Sequence, residues 1–87
     1  MLFMEYRFTE EAIKTLSLLP KEVQRRILDK LDFVFNFENP LKFSKKLNNF
    51  AYGDYRIRIG DYRASFDIIK SNYALFLRFG HRKNFYK

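Results

Sequence analysis

In the N-terminal part of the chain, apolar and polar residues follow two different periodicities. Residues 2–8, LFMEYRF, are rich in aromatic side chains and alternate moderately, which is typical of a strand. Thr9 precedes Glu10 and Glu11, as expected for a helix N-cap followed by negative charge in the first turn. The apolar residues that follow recur at three- and four-residue steps on either side of Pro20, which predicts a helical hairpin: Ala12, Ile13, Leu16 and Leu19, then Val23, Ile27, Leu31, Val34 and Phe35.

The C-terminal half reads as a polar connector, residues 41–53, followed by strands joined by short turns. The two-residue connection Gly60-Asp61 predicts a tight hairpin. The predicted strands are 54–59, 62–69 and 73–80. The predicted fold class is α+β in a single domain, residues 1–87. It has an N-terminal strand, a helical hairpin and then three antiparallel strands, with the helices packed on one face of a twisted sheet.

The predicted hairpin has an unusual charge distribution. A turn at the Gly-Asp pair places Arg58 opposite Arg63 and Arg56 opposite Ser65, all on one face. Alternation then turns the other residues towards the helices: Tyr55, Ile57, Ile59, Tyr62, Ala64, Phe66 and Ile68. Like charges directly opposite one another are unfavourable by about 0.2–1 kcal/mol, and local violations of this kind tend to occur at functional sites. The face is either a solvated charged surface or a phosphate-binding platform, for which the donor forks of arginine are suited.

The overall charge supports a polyanionic partner. The formal net charge is +7, and the excess lies entirely in residues 42–87, which hold eleven Lys or Arg against three Asp or Glu. Residues 1–41 hold six against seven. A basic field on one side of a small domain is typical of nucleic-acid binding, and an acidic protein is the alternative.

Several classes of protein are disfavoured by composition. The chain has no cysteine and one histidine, so a disulfide framework and a zinc site are not expected, and no cofactor or metal is predicted. Its three glycines form no phosphate loop. The N-terminus lacks the basic start of a signal peptide, and no apolar run approaches the roughly 20 residues that span a bilayer. We therefore expect a cytoplasmic protein without a membrane partner.

The C-terminal segment HRKNFYK supplies side chains suited to RNA cleavage. His81 can exchange a proton near neutral pH, Arg82 can neutralise charge on a phosphorane, and Tyr86 can stack on a base or transfer a proton. Together they fit metal-independent cleavage in which the ribose 2′-hydroxyl is the nucleophile. Viewed alone, a lone histidine is more often a surface residue, and Tyr86 could equally anchor the tail on the sheet.

The order of these features resembles the RelE/ParE superfamily of type II toxins. The resemblance rests on the helical hairpin with LP at its corner, the KKL segment, YRIRIGDYRASF and the closing HRKNFY. It covers almost the whole chain. For the RelE branch it implies a toxin that enters the ribosomal A site and cleaves mRNA by attack of the 2′-hydroxyl. For the ParE branch it implies a protein-binding inhibitor of DNA gyrase without chemistry of its own. A plain RNA-binding module is a third possibility.

The resemblance also implies roles for individual residues. Arg56 and Arg58 match two lysines of the RelE hairpin, and because arginine is a poor general base, proton transfer there is doubtful. Arg63 matches the arginine of the RelE GYR element. The implied catalytic residues are Arg63, His81, Arg82 and Tyr86. The predicted RNA-binding residues are Arg56, Arg58, Lys45, Lys46, Arg78 and Lys83.

The implied partners are mRNA on the ribosome and a cognate antitoxin. Antitoxins of the superfamily wrap an extended or helical segment, usually acidic, around the toxin, so a toxin–antitoxin hetero-oligomer is expected. The basic C-terminal half would attract such a segment, and apolar side chains would receive it. The candidates are Phe33, Phe37 and Phe43.

Overall fold

The computed structural model describes residues 4–37, 39–70 and 72–86, with the side chain of Phe37 outside the described set. Its order of elements is strand, two helices, a 3₁₀ turn and four strands. The helices are α1 (Glu10–Ser17) and α2 (Lys21–Phe37), and the 3₁₀ turn is Pro40–Phe43. The strands are β1 (Glu5–Phe8), β2 (Ser44–Lys46), β3 (Tyr55–Ile59), β4 (Tyr62–Ile69) and β5 (Tyr73–His81). The α+β prediction is confirmed.

The five strands form one mixed sheet in the order β1-β5-β4-β3-β2. Strand β1 lies parallel to β5, and the other pairs are antiparallel. The sequence analysis missed β2, which it placed in a polar connector. This strand is only three residues long, SKK, and it forms by pairing at the sheet edge with β3. Short, charged strands are common at sheet edges, and their own sequence carries almost no alternation signal.

The helical hairpin packs on one face of the sheet as predicted. Thr9 is the N-cap of α1, since its hydroxyl accepts a hydrogen bond from the Ala12 N–H at 3.0 Å. The hydroxyl of Tyr6 on β1 donates to Asp32 on α2 and ties the first strand to the second helix. Burial, followed by this hydrogen bond, raises the pKa of Tyr6. No described helix is long and apolar enough to cross a membrane.

A single apolar core lies between the helices and the sheet. Its members come from both helices and from the three central strands: Ala12, Leu16, Val23, Ile27, Leu31, Val34, Phe35, Ile57, Ile59, Ala64, Phe66, Ala74, Phe76 and Phe79. Aromatic rings dominate its centre, where Phe66, Phe76 and Phe79 pack with centroid distances of 5.0 and 5.7 Å. Large rings let few residues fill the core of a small domain.

A β-bulge changes the pairing of β5 halfway along the strand. Arg78 lies opposite Ser65, but the next residue of β4, Phe66, lies opposite Phe76, so Leu77 is the extra residue. Simple alternation places Phe76 and Phe79 on opposite faces, whereas the bulge turns both towards the helices, where both are buried. Arg78 consequently shares the opposite face with Ser65.

Gly53 sits at a close approach between the 47–54 segment and β4. Its φ is +134°, and a Cβ there would lie 3.0 Å from the backbone N and O of Phe66. We expect Gly53→Ala to lower the free energy of unfolding by about 1–3 kcal/mol, because strained backbone and steric contact act together. Chemical denaturation measures this difference.

Gly80→Ala is the matched control. The nearest atom to a Cβ at Gly80 is 3.5 Å away, an ordinary contact on the Phe85 ring. This variant is expected to be as stable as the wild type or slightly more stable, because alanine restricts the unfolded chain. Equal losses in the two variants would mean that Gly53 is not specially constrained.

Candidate nucleic-acid interface

The sheet face opposite the helices carries two transverse rows of mostly basic side chains. The predicted register of the hairpin is confirmed, with Arg58 opposite Arg63 and Arg56 opposite Ser65. We define the basic face as Lys45, Arg56, Ser65 and Arg78 in one row, and Arg58 and Arg63 in the next. Because strands lie about 4.8 Å apart, the first row spans roughly 14 Å across four strands. A polyanionic chain is the kind of ligand that complements such a row.

Arg63 is the most buried cation of the basic face, with 8% of its surface exposed. Its Nη1 donates to the carbonyl oxygens of Gly60 and Tyr62, each at 2.9 Å, so the guanidinium is held against the hairpin turn. Burial and then the charges of Arg58 and Arg56 lower the pKa of Arg63. A bound anion would relieve both effects, since it offsets the neighbouring charges and supplies new hydrogen-bond acceptors.

Tyr86 reaches the same guanidinium from the C-terminal segment. The interaction of Tyr86 with Arg63, electrostatic first, opposes the lowering of the Arg63 pKa, so the two side chains lie close together. The tyrosine remains 48% exposed, so its ring and hydroxyl are accessible to a ligand. The structure therefore brings together two of the predicted catalytic residues, although their roles stay predictions.

A second aromatic group packs on the basic side of the sheet and was not predicted. We call it the tail cluster: Phe50, Tyr52, Phe85 and Tyr86. Phe85 is buried, stacks on Phe50 at a centroid distance of 5.4 Å and lies next to Gly80. Arg78 inserts its guanidinium between Tyr52 and Phe85, at 4.6 and 5.9 Å from the ring centroids. The only signal in the sequence was the aromatic content of the two segments.

Two buried polar atoms of the first row lack a hydrogen-bond partner among the described residues. They are Ser65 Oγ and Arg56 Nε, on residues that lie directly opposite one another in the first row. Ser65 is completely buried, even though it belongs to the face that the sequence suggested was open. A buried, unsatisfied polar group costs about 1–3 kcal/mol, so this part of the sheet is not optimised for stability.

The rim of the basic face is formed by Arg82 and Lys83, both exposed. Arg82 forms an ion pair with Asp61 of the hairpin turn at 3.3 Å, and its backbone N–H donates to the Asp61 carbonyl at 2.7 Å. Exposed ion pairs contribute only about 0.2–1 kcal/mol, so a phosphate can replace the carboxylate at little loss. The backbone N–H of Lys83 donates to His81 Nδ1 at 3.1 Å.

His81 and Lys46 point away from the basic face. His81 lies opposite Tyr62, which packs against the core on the helix side, and the two rings meet edge to face at 5.2 Å. Lys46 lies opposite Tyr55, also on the helix side, whereas Lys45 lies opposite Arg56. The other predicted RNA-binding and catalytic residues lie on the basic face or its rim. Within the described ranges, no three His, Asp or Glu side chains are grouped to hold a metal ion.

The chain matches known proteins over almost its full length. Residues 6–86 match the family model described as ParE toxin of type II toxin–antitoxin system, parDE. No curated protein matches the chain.

Solved structures that share the fold include three toxin–antitoxin complexes. They are the RelBE2 toxin–antitoxin complex of Mycobacterium tuberculosis (26% identity, TM-score 0.75, covering 93% of this chain and 100% of that one), the archaeal RelE–RelB complex of Pyrococcus horikoshii (28%, 0.70, 95% and 99%) and the RelB–RelE complex of Methanococcus jannaschii (29%, 0.66, 87% and 90%).

The fold and these matches define a type II toxin of the RelE/ParE superfamily. Within that superfamily, the chain belongs to the ParE toxin family.

Removing one of the opposed arginines should stabilise the fold. Arg58 is exposed and lies opposite Arg63, so Arg58→Gln is expected to raise the free energy of unfolding by about 0.2–1 kcal/mol in low salt. The gain should shrink as salt screens the repulsion. Denaturant titrations at two salt concentrations measure both effects.

Arg25→Gln provides the control, because Arg25 is exposed on α2 and lies outside the basic face. We expect this substitution to change stability little. If Arg58→Gln were instead destabilising, or if its gain were the same in about 1 M salt, repulsion between the arginines would not be the cause.

Proposed function

We propose that the chain is a ribosome-dependent endoribonuclease that cleaves mRNA and thereby inhibits translation. The observation that carries this proposal is the convergence of five cations on one sheet face, with Tyr86 close to the buried Arg63. A surface that only docked onto a protein would not need a tyrosine hydroxyl beside a buried guanidinium. The structural likeness to RelE proteins in complexes with RelB supports the same branch.

The chemistry proposed for this face is transesterification without metal. The 2′-oxygen of a ribose loses its proton and forms a bond to the adjacent phosphorus, while the bond from phosphorus to the 5′-oxygen breaks and that oxygen gains a proton. The products are a 2′,3′-cyclic phosphate and a 5′-hydroxyl end. Arg63 and Arg82 would stabilise the charge that develops on the phosphorane oxygens, because guanidinium donors match phosphate oxygens.

The proton transfers belong to other groups. Arginines are poor bases, so Arg56 and Arg58 would bind and polarise the phosphate backbone. Tyr86 is the acid–base candidate on the basic face itself, because it lies close to Arg63 and remains exposed. His81 lies on the helix side of the sheet, at the end of β5. Its proposed contribution therefore requires the RNA to pass around the end of this strand.

Inhibition of DNA gyrase is the second candidate, favoured by the match to the ParE family model. In that case the basic face would bind an acidic protein surface, and no RNA would be cut. The two candidates differ in product, so parallel measurements of message integrity and plasmid supercoiling distinguish them.

A cognate antitoxin is the proposed protein partner, since the three structural relatives are toxin–antitoxin complexes. An acidic segment with apolar side chains would fit a groove of about 510 Å³ at the edge of the helix side, lined by Met4, Leu41, Tyr55, Ile68 and Lys70. Phe33 and Phe43 are exposed apolar side chains, consistent with the predicted docking role. The side chain of Phe37, the third predicted contact, lies outside the described residues.

Cleavage is expected to depend on Arg82 and Arg63. Arg82→Ala should lower the rate on programmed ribosomes on the order of a hundredfold, because one phosphorane contact is lost. Arg63→Lys should also be slow, since it keeps the charge but loses the planar fork. Mapping of mRNA ends after a fixed time measures both variants.

Arg25→Ala, on the far side of the molecule, should cut as fast as the wild type. Unfolding curves must accompany Arg63→Lys, because Arg63 is hydrogen-bonded within the fold. Normal cutting by both site variants would contradict the assignment of the face. If the mRNA stays intact and the plasmid stays relaxed in a gyrase assay, RNA cleavage is wrong and inhibition of gyrase is the better proposal.

Binding to single-stranded RNA should weaken steeply with salt. If the five cations of the basic face each contact a phosphate, the logarithm of the binding constant should fall against the logarithm of salt concentration with a slope of about −3.5. Arg56→Gln should reduce the slope by about 0.7, because one contact is lost. Fluorescence anisotropy with a labelled oligonucleotide measures the slope. A flat response would mean that the basic face does not dock phosphates.

A further inference from the structure

Tyr52 has an exposed aromatic ring that contacts Arg78 of the first basic row, and it has no role in the function proposed above. The residue is 41% exposed although the guanidinium of Arg78 covers one face of its ring at 4.6 Å. Arg78 itself lies opposite Ser65 in the row that also contains Arg56 and Lys45. An aromatic surface therefore lies at the border of a line of phosphate-binding charges.

The position of Tyr52 is fixed by its neighbours in the chain. On one side, Phe50 meets the Tyr52 ring at a centroid distance of 5.7 Å and stacks on the buried Phe85. On the other side, Gly53 is buried against the backbone of Phe66, with a φ of +134°. Because the residues on both sides of Tyr52 are held in place, its side chain loses little conformational freedom when a ligand stacks on it.

We propose that Tyr52, backed by Arg78, forms a nucleobase-stacking subsite for single-stranded RNA. The phosphates of the RNA strand would follow the basic row. One base would rotate away from the strand and stack on the exposed part of the Tyr52 ring. Aromatic rings next to a positively charged groove are a recurrent arrangement in single-strand binding, because every base has a π-face. This inference deepens the proposed function and rests on it for the identity of the ligand.

The arrangement assigns different tasks to two parts of the surface. The arginines and Lys45 contact the sugar–phosphate backbone and carry no sequence information. Tyr52 contacts a base and favours those that stack well, so it would set a preference at one position near the scissile bond. Arg78 serves both parts, because its guanidinium stacks on Tyr52 while the register of β5 places it in the phosphate row.

The test is binding of the full chain to a fluorescently labelled RNA hexamer and to the same hexamer with one base removed at each position in turn. For the wild type, loss of the stacked base should weaken binding on the order of tenfold. Tyr52→Leu should bind the intact hexamer with a similar loss and should be indifferent to the missing base. Tyr52→Phe, which keeps the ring, should behave as the wild type.

Tyr73→Leu is the matched control. Tyr73 is also stacked by an arginine, with Arg7 at 4.1 Å from its ring centroid, but it lies at the other end of β5, five residues and roughly 17 Å from Arg78. This variant should keep both the affinity and the penalty for the missing base. An equal effect of the two tyrosine substitutions would point to general destabilisation and overturn the subsite.

Two other results would overturn the proposal. One is a wild type that does not bind the hexamer in low salt. The other is a Tyr52→Leu variant that weakens intact and base-free hexamers by the same factor. Cleavage on programmed ribosomes separates this inference from the proposed function. If the wild type and Tyr52→Leu cut mRNA with the same base preference, the stacking subsite is wrong but the proposed nuclease activity is supported. If hexamer binding depends on Tyr52 but no mRNA is cut, the stacking subsite is supported and the proposed nuclease activity is wrong.

Discussion

The repulsion among arginines on one sheet face is the constraint on which the rest of the structure depends. Arg58 faces Arg63 across the hairpin, and Arg63 is buried, so its pKa is lowered by burial and by its neighbours. The fold holds these charges together because the other face of the same strands packs into a large aromatic core. Stability generated on the helix side thus supports a surface on which like charges repel one another.

The second aromatic group explains how a sheet with helices on one side can bury residues on the other. The tail cluster packs on Gly80 and on the guanidinium of Arg78, whose partner across the strands is the buried Ser65. Tyr52 and Tyr86 remain exposed at its margin. The surface therefore has flat apolar groups beside charged groups, as a nucleic acid has bases beside phosphates. This similarity supports the proposal of an RNA ligand over that of a protein target.

The hairpin register was predictable from the sequence because only local information is required. A Gly-containing two-residue turn and strict alternation determine which residues face each other, and Gly60 adopts the expected positive φ of 58°. The N-cap at Thr9 was equally local. Strand β2 was not predictable, since its three polar residues become a strand only by pairing with β3. The family resemblance, which depended on residue order, was confirmed by the comparisons.

Parts of the candidate site were beyond the reach of sequence patterns. The stacking of Phe50 on Phe85 joins residues far apart in the chain, and alternation cannot show that Arg63 is buried. The sequence analysis assigned His81 to the catalytic set and Lys46 to the RNA-binding set, but their partners Tyr62 and Tyr55 place them on the helix side. Charge counts locate a basic half of the chain, whereas the direction of each side chain follows from strand pairing.

The bulge at Leu77 makes strand β5 tolerant of the loss of one residue at that position. Because Leu77 has no partner on β4, a chain without it would still place Phe76, Arg78 and Phe79 opposite Phe66, Ser65 and Ala64. Both surfaces would keep their residues, whereas removal of any of those three side chains would change one of them. Homologous chains that preserve both surfaces should therefore differ in the identity or presence of this residue.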